Sequence, residues 1–170
     1  MQAFPWCLKS KKRKSFFIHI LAKWDFVSKI SQWLCFAVEN KVEDVKLYSY
    51  PFADEELSLS MYTCWSLITL NLSCWVFDEE MVIAWNSLKS LTLHSTTLYN
   101  EDIVKLLSSC PALETMELSF CKGCRRLKIA SSNLKRLNLH NYWSSPYEEC
   151  DKSFTSSAFG NNRKSKISQV

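Results

Sequence analysis

Leu88-Lys89-Ser90-Leu91-Thr92-Leu93 decides the architecture, because its apolar spacing, LxxLxL, occurs five times in the chain. The other windows are Val42-x-x-Val45-x-Leu47, Leu67-x-x-Leu70-x-Leu72, Leu113-x-x-Met116-x-Leu118 and Leu134-x-x-Leu137-x-Leu139. In chain order, successive first positions lie 25, 21, 25 and 21 residues apart. Self-similarity at such a period marks a chain built of stacked units. Twelve of the fifteen key positions are Leu and the others are Val42, Val45 and Met116, so more than half of the chain's 21 leucines serve one pattern. The -Leu-x-Leu- centre alternates with period two, which turns both leucines to one side of a short strand and the residue between to the other. One such strand cannot bury its face; successive strands stacked in parallel bury all of them together.

Both step lengths fall in the range of leucine-rich repeats. The expected fold class is therefore α/β, a leucine-rich-repeat solenoid of about five coils with an N-terminal capping helix. The long step from Leu88 to Leu113 has room for a helical return. Asn100 suits its N-cap, Glu101 and Asp102 its first turn, and Leu98, Ile103, Leu106 and Leu107 its buried stripe, with Pro111 just beyond its end. The short steps carry extended returns instead, Trp75-Val76-Phe77 in one and Cys124-x-x-Leu127-x-Ile129 in the other. Residues 51–57 read more as loop than helix. Before the first window, residues 25–40 form an amphipathic pattern with Val27, Ile30, Leu34, Ala37 and Val38 on one face, a helix suited to cap the first coil. Nothing comparable follows Leu139, which predicts an uncapped last coil that self-associates through Leu134, Leu137 and Leu139.

The chain's 170 residues, 47% hydrophobic and 22% charged, suit one domain with a sizeable core. Its net charge of +4 is unevenly spread. Residues 1–23 hold six basic residues and no acid, residues 24–140 eleven basic and fourteen acidic, and residues 141–170 four basic and three acidic. This predicts a basic N-terminal tail (1–23), a repeat domain with its capping helix (24–140) and a disordered or irregular C-terminal tail (141–170). The basic excess belongs to the first tail, so no nucleic-acid partner is expected. Lys11-Lys12-Arg13-Lys14 fits both a solvated tail and a short import pattern. The apolar run from Phe16 to Ala22 is interrupted by His19 and followed by Lys23 and Asp25 without a small-residue cleavage pattern, so no secretory signal is expected. No run approaches the roughly 18 apolar residues of a membrane helix. The expected location is cytoplasmic or nuclear, with no membrane partner and no secretion.

Two glycines, Gly123 and Gly160, are too few for a Walker-type loop or a dinucleotide fingerprint, and no cofactor is expected. The eight cysteines read as reduced thiols. Cys121 and Cys124 form a lone CxxC without the second ligand pair a structural zinc needs, so no metal site is expected. Packing accounts for three thiols: Cys64 and Cys110 stand three residues before a repeat's first leucine, as Trp85 and Ser131 do, and Cys121 stands three after Leu118, a slot for a small buried side chain. The acid triplets Asp54-Glu55-Glu56 and Asp78-Glu79-Glu80 read as solvated loops.

The residues flanking the strand leucines define a candidate protein-binding concave face in three columns. They are Asp44, Thr69, Ser90, Thr115 and Arg136; Lys46, Asn71, Thr92, Glu117 and Asn138; and Tyr48, Ser73, His94, Ser119 and His140. His94, Ser119 and His140 share a column, but a serine nucleophile needs its base within about 2.6–3.2 Å and an orienting group behind it. Neighbouring coils stand roughly 5 Å apart by backbone. No catalytic residue is assigned, and the chain is not expected to be an enzyme.

Trp33-x-x-Phe36-Ala37-Val38-Glu39-x-Lys41-Val42-Glu43-Asp44-Val45-x-Leu47 resembles the start of the repeat region in plant F-box/LRR proteins, including those that end in an FBD domain. Tyr62-Thr63-Cys64-x-Ser66-Leu67-x-x-Leu70-x-Leu72 and Ser87-Leu88-Lys89-Ser90-Leu91-x-Leu93 resemble the next blocks. Leu106-Leu107-Ser108-Ser109-Cys110-Pro111-x-Leu113-Glu114 and Leu127-Lys128-Ile129-x-Ser131-Ser132-x-Leu134-Lys135 resemble the last two, so that residues 24–140 follow the family's order. The resemblance implies the substrate-recognition part of a ubiquitin-ligase subunit, with a protein partner on the repeats and a Skp-type adaptor on the F-box. Only 27 residues precede Ser28, fewer than three F-box helices of about 11–12 residues require. The F-box is therefore expected to be missing, which argues against adaptor docking. The alternative is a generic repeat scaffold, or a truncated fragment with no ligase role.

Overall fold

The computed structural model describes residues 14–19, 27–49, 55–77, 80–123, 128–140, 155–158 and 166–169. The first half of the chain forms β1 (Ser15–His19), α1 (Val27–Glu39), β2 (Asp44–Tyr48), β3 (Glu55–Glu56), α2 (Leu59–Tyr62), β4 (Thr69–Ser73) and β5 (Trp75–Val76). The second half forms β6 (Ser90–His94), α3 (Asn100–Ser109), β7 (Thr115–Ser119), β8 (Lys128–Ala130), β9 (Arg136–His140), β10 (Thr155–Ala158) and β11 (Lys166–Gln169). Seven strands make one parallel sheet in the order β1-β2-β4-β6-β7-β9-β11, with β10-β8 and β3-β5 as separate parallel pairs. Five consecutive strands of the main sheet carry the five leucine windows.

Repeat spacing translates into an unshifted register. Val45, Leu70, Leu91, Met116 and Leu137 are successive partners across the sheet, and so are Leu47, Leu72, Leu93, Leu118 and Leu139. All fifteen key positions are at most 3% exposed. Burying each such side chain contributes about 1.5–3 kcal/mol relative to leaving it in water.

The strands that carry the five windows are entered in the same way. The carbonyl oxygens of Lys14, Glu43, Ile68, Lys89 and Glu114 each accept two N–H groups from the start of the next strand of the sheet, over 2.7–3.2 Å. At the far end the N–H groups of Ser49, Cys74, Ser95 and Phe120 donate to the carbonyls of Ser73, His94, Ser119 and His140. Cys74, Ser95 and Phe120 hold φ of 60°, 52° and 55°, a left-handed conformation that costs a non-glycine residue about 1–2 kcal/mol. It turns the chain out of the strand while keeping the N–H in the ladder, so no donor is orphaned.

Helix α1 buries Ile30, Leu34 and Ala37, with Val38 half-buried; the side chain of Val27 lies outside the described residues. It ends in a Schellman motif: Lys41, at φ 53°, donates to the Val38 carbonyl and Val42 to that of Ala37. Helix α3 buries Ile103, Leu106 and Leu107, but Tyr99 takes the cap position expected of Asn100. Asp102 fixes that boundary, because its Oδ2 accepts the Tyr99 N–H at 2.7 Å. The returns expected to be extended contain β5 and β8, and within residues 55–62 the chain adds β3 and the single turn α2.

Both ends differ from expectation. Ser15–His19, inside the stretch read as a basic tail, is a strand paired in register with β2, and it buries Phe16 and Ile18. Helix α1 thus connects two parallel strands and does not itself close the N-terminal edge of the sheet; β1 stands there. At the other end β11 pairs with β9, Ile167 against Leu137 and Gln169 against Leu139. The edge expected to drive self-association is covered by the chain's own later segment. The second tail therefore contributes β10 and β11, and the Lys11–Arg13 pattern lies outside the described residues.

Candidate protein-binding face

The strand residues between the buried leucines lie on the opposite face of the main sheet, and the register sets them in rows. Asp44, Thr69, Ser90, Thr115 and Arg136 are consecutive partners, as are Lys46, Asn71, Thr92, Glu117 and Asn138. The third row is Tyr48, Ser73, His94, Ser119 and His140. Most of these side chains are half-buried, and Lys46 and Arg136 are exposed. Ser73 and Ser119 are exceptions, at 8% exposure each. Each hydroxymethyl group stands between larger neighbours, Tyr48 and His94 for Ser73, His94 and His140 for Ser119, so these two offer little to a partner.

Charge is balanced along the rows, Asp44 and Glu117 against Lys46 and Arg136. Asp44 Oδ2 accepts from Ser15 Oγ at 3.5 Å, and its Oδ1 is buried without a partner among the described residues. Just before the strands, Glu114 pairs with Lys135 at 2.9 Å. The hydrogen bond and charge of Lys135, with smaller help from Lys89 and Arg136, hold the Glu114 carboxyl below the usual carboxylate range.

Strand β1 lengthens the rows with residues that sequence reasoning missed. Ser15, Phe17 and His19 align with Asp44, Lys46 and Tyr48. Phe17, His19 and Tyr48 form an aromatic group with ring centroids 5.5–6.4 Å apart. At the other side Phe120, 44% exposed, meets the edge of His94 at 5.2 Å. The alternation of Phe16 and Ile18 with Phe17 and His19 was the available signal. It was obscured because those residues sit in a continuous apolar run behind a cluster of lysines.

Cys64, Cys110 and Cys121 are buried, and the thiol of Cys121 faces the carbonyls of Leu93 and Ser119 at 3.6 Å each. Burial pushes the Cys110 thiol up to about 12. Cys124 lies outside the described residues, and among those described no three His, Cys, Asp or Glu side chains converge as metal ligands would. No described helix is long and apolar enough to cross a membrane.

The family model for the leucine-rich repeats of FBD-associated F-box protein At5g56370 matches residues 30–152. The chain belongs to this repeat family. The match takes in α1 from Ile30 onward and all five leucine windows, so family membership and strand register rest on the same residues. No curated protein and no solved structure matches the chain.

Proposed function

We propose that this chain is a non-catalytic protein-binding module whose five leucine windows form successive coils of a solenoid and whose polar sheet face is the concave binding surface. The observation that carries this reading is the unshifted register, which gathers residues from five repeats spread over almost a hundred positions into three straight rows. A leucine-rich-repeat family is suited to holding proteins, and a row of short polar side chains leaves the backbone of a partner free to approach. By its resemblance to F-box/LRR subunits, the partner is a protein presented for ubiquitination; whether a Skp-type adaptor joins is a separate question, because the residues named here belong to the repeats.

The test is crosslinking and affinity capture with the full chain from an extract of the source organism, comparing wild type with Asn71→Arg/Thr92→Arg and with Val82→Arg. Val82 is 75% exposed and lies on a return segment, away from the rows. Loss of specific partners with the face variant and retention with Val82→Arg is the expected result. Equal capture by all three removes the face from consideration. Purified Skp-type adaptor added to the chain separates the ligase role from a scaffold role, since a scaffold retains its partners and leaves the adaptor free.

A further inference from the structure

The two edges of the main sheet are matching halves of one ladder. Strand β1 stands at the first edge, and among the described residues no strand pairs with its outer side. The Lys14 carbonyl accepts the Glu43 and Asp44 N–H groups. Backbone groups alternate in direction along a strand, so the N–H and carbonyl of Phe17 turn to that outer side. Phe16 and Ile18 lie in register with Val45 and Leu47 and are 2% and 5% exposed, so β1 fills both apolar columns of the sheet. At the last edge β11 continues the ladder beyond β9, and its sequence fits those columns less well. The register sets Lys166 beside Arg136, Ile167 beside Leu137 and Gln169 beside Leu139. A base thus follows a base, and a glutamine enters a column that is Leu in all five windows. Like charges at neighbouring ladder positions are unfavourable, and a polar residue in an apolar column forfeits burial.

We propose that β11 is a strap that keeps this chain from joining end to end, and that the edge of β9, once β11 is displaced, takes β1 of a second copy as its next parallel strand. The register selects this occupant. Continuing the columns of the sheet places Ser15 of the second copy beside Arg136, Phe16 beside Leu137 and Ile18 beside Leu139. The like-charge step disappears and both apolar columns are filled. The Phe17 N–H of the incoming copy pairs with the Leu137 carbonyl, the same step by which each strand of a parallel ladder joins the one before it. The joint runs head to tail: each copy keeps one open end, so growth does not close at a dimer. Strand β11 belongs to the same chain as β9, and that intramolecular advantage outweighs the better fit of β1. An unpaired edge is a template for an added strand, and covering it is how sheet proteins avoid such growth. The joint uses the edges of the sheet and leaves its polar face open to a partner.

The experiment is size-exclusion chromatography with light scattering on the full chain over a concentration series, with far-ultraviolet circular dichroism as the check on folding. Wild type should stay at the mass of a monomer. Ile167→Asp, which sets an acid in the apolar column at β11, should give a mass that climbs past that of a dimer as the concentration rises. Ser168→Pro, which breaks the same strand through its backbone, should do likewise. Ile167→Asp/Phe17→Pro should return to the monomer, because proline at position 17 removes the N–H that the joint uses and none that β1 gives to β2. Mixing tests the direction. That double variant has an open tail and a blocked head, and wild type a covered tail and an open head, so the mixture should form a one-to-one dimer and nothing larger. Monomers from both Ile167→Asp and Ser168→Pro overturn the proposal, as does wild-type self-association equal to theirs. Growth that survives Phe17→Pro, or a mixture that yields no dimer, overturns the head-to-tail joint. The capture experiment with Asn71→Arg/Thr92→Arg decides the protein-binding face independently.

Discussion

The indole N–H of Trp85 donates to the backbone carbonyl of Met61 over 2.6 Å, in a site from which water is excluded. The two residues belong to consecutive returns, and the Tyr62 ring stacks on Trp85 at 6.0 Å while the Tyr62 carbonyl accepts the Ala84 N–H at 2.8 Å. Trp85→Phe keeps most of the apolar contact and removes this donor, while the Met61 carbonyl still accepts the Cys64 N–H at 3.2 Å. The loss is therefore that of one net hydrogen bond, about 0.5–1.5 kcal/mol. The expected outcome is a fall in Tm of roughly 2–6 °C by thermal denaturation. Val82→Ala, at a position 75% exposed, should move Tm by about 1–2 °C or less.

Gly123 holds φ 91°, and a Cβ there would stand 2.9 Å from the Leu98 carbonyl oxygen. The turn is pinned by the neighbouring chain: Leu98 donates to the Lys122 carbonyl and Lys122 to that of Thr96. Gly123→Ala therefore meets both a disfavoured backbone angle and a backbone atom that cannot step aside. A loss of about 1–3 kcal/mol is expected in urea denaturation, seen as a lower midpoint at constant slope.

The three left-handed exits answer differently. At Ser95 the conformation costs about 1–2 kcal/mol for a residue with a Cβ, while glycine gives back roughly 0.5–1 kcal/mol through its looser unfolded chain. Ser95→Gly is expected to stabilise the protein by about 0.5 kcal/mol in the same urea experiment. A destabilised variant would show that the Ser95 side chain contributes more than its backbone angle costs.

Much of this architecture is legible in the windows themselves, because a period-two pair of leucines at steps of 21 and 25 residues can be buried only by in-register stacking. The rows of the polar face follow from the same arithmetic. What escaped was set by tertiary partners. Ser15–His19 carries its own alternation, but a five-residue strand is stable only against the edge of β2, and its sequence neighbours are lysines. Leu139 shows no cap beside it in sequence, because β11 arrives from residues 166–169. Tyr99 displaces Asn100 as the cap because the reach of the Asp102 carboxylate, and not the identity of the cap residue, places the first turn. Ser73 and Ser119 share the polar face and are nevertheless buried, since alternation reports the face of a side chain and not the size of its neighbours on adjacent strands.

Glu114 links the last two windows through Lys135 at 2.9 Å. Its carboxyl titrates below the usual range in the folded protein, chiefly through the Lys135 hydrogen bond and charge. The folded state thus holds fewer protons than the unfolded one, and the pair stabilises the fold above the ordinary carboxylate range and loses that contribution as the pH falls through the depressed value. Because the pair is solvent-exposed, the effect is small and salt-sensitive. Glu114→Gln should flatten a small part of the acid limb of a Tm-against-pH curve at low salt and leave the curve unchanged in molar salt. A wild-type-sized effect in molar salt would count against a screened surface pair.

Cys110 offers a test of the core in native solution. Desolvation raises its thiol from an ordinary value near 9 to about 12, so it remains protonated at pH 8, whereas alkylating reagents attack the thiolate. Cys35 is exposed on α1, with its sulfur 3.5 Å from Ser60 Oγ. Iodoacetamide followed by peptide mass spectrometry at pH 8 should label Cys35 well before Cys110, and the gap should close in denaturing urea. The same shift has a stability consequence of definite sign. Above pH 9 the unfolded thiol releases its proton while the folded one keeps it, so stability declines as the pH rises from 9 toward 12. Cys110→Ala removes that part of the alkaline decline while opening a small cavity, which lowers Tm at neutral pH and narrows the difference from wild type at pH 10. Equal labelling of Cys35 and Cys110 in native buffer would show that the return around Cys110 opens to solvent on the timescale of the reaction.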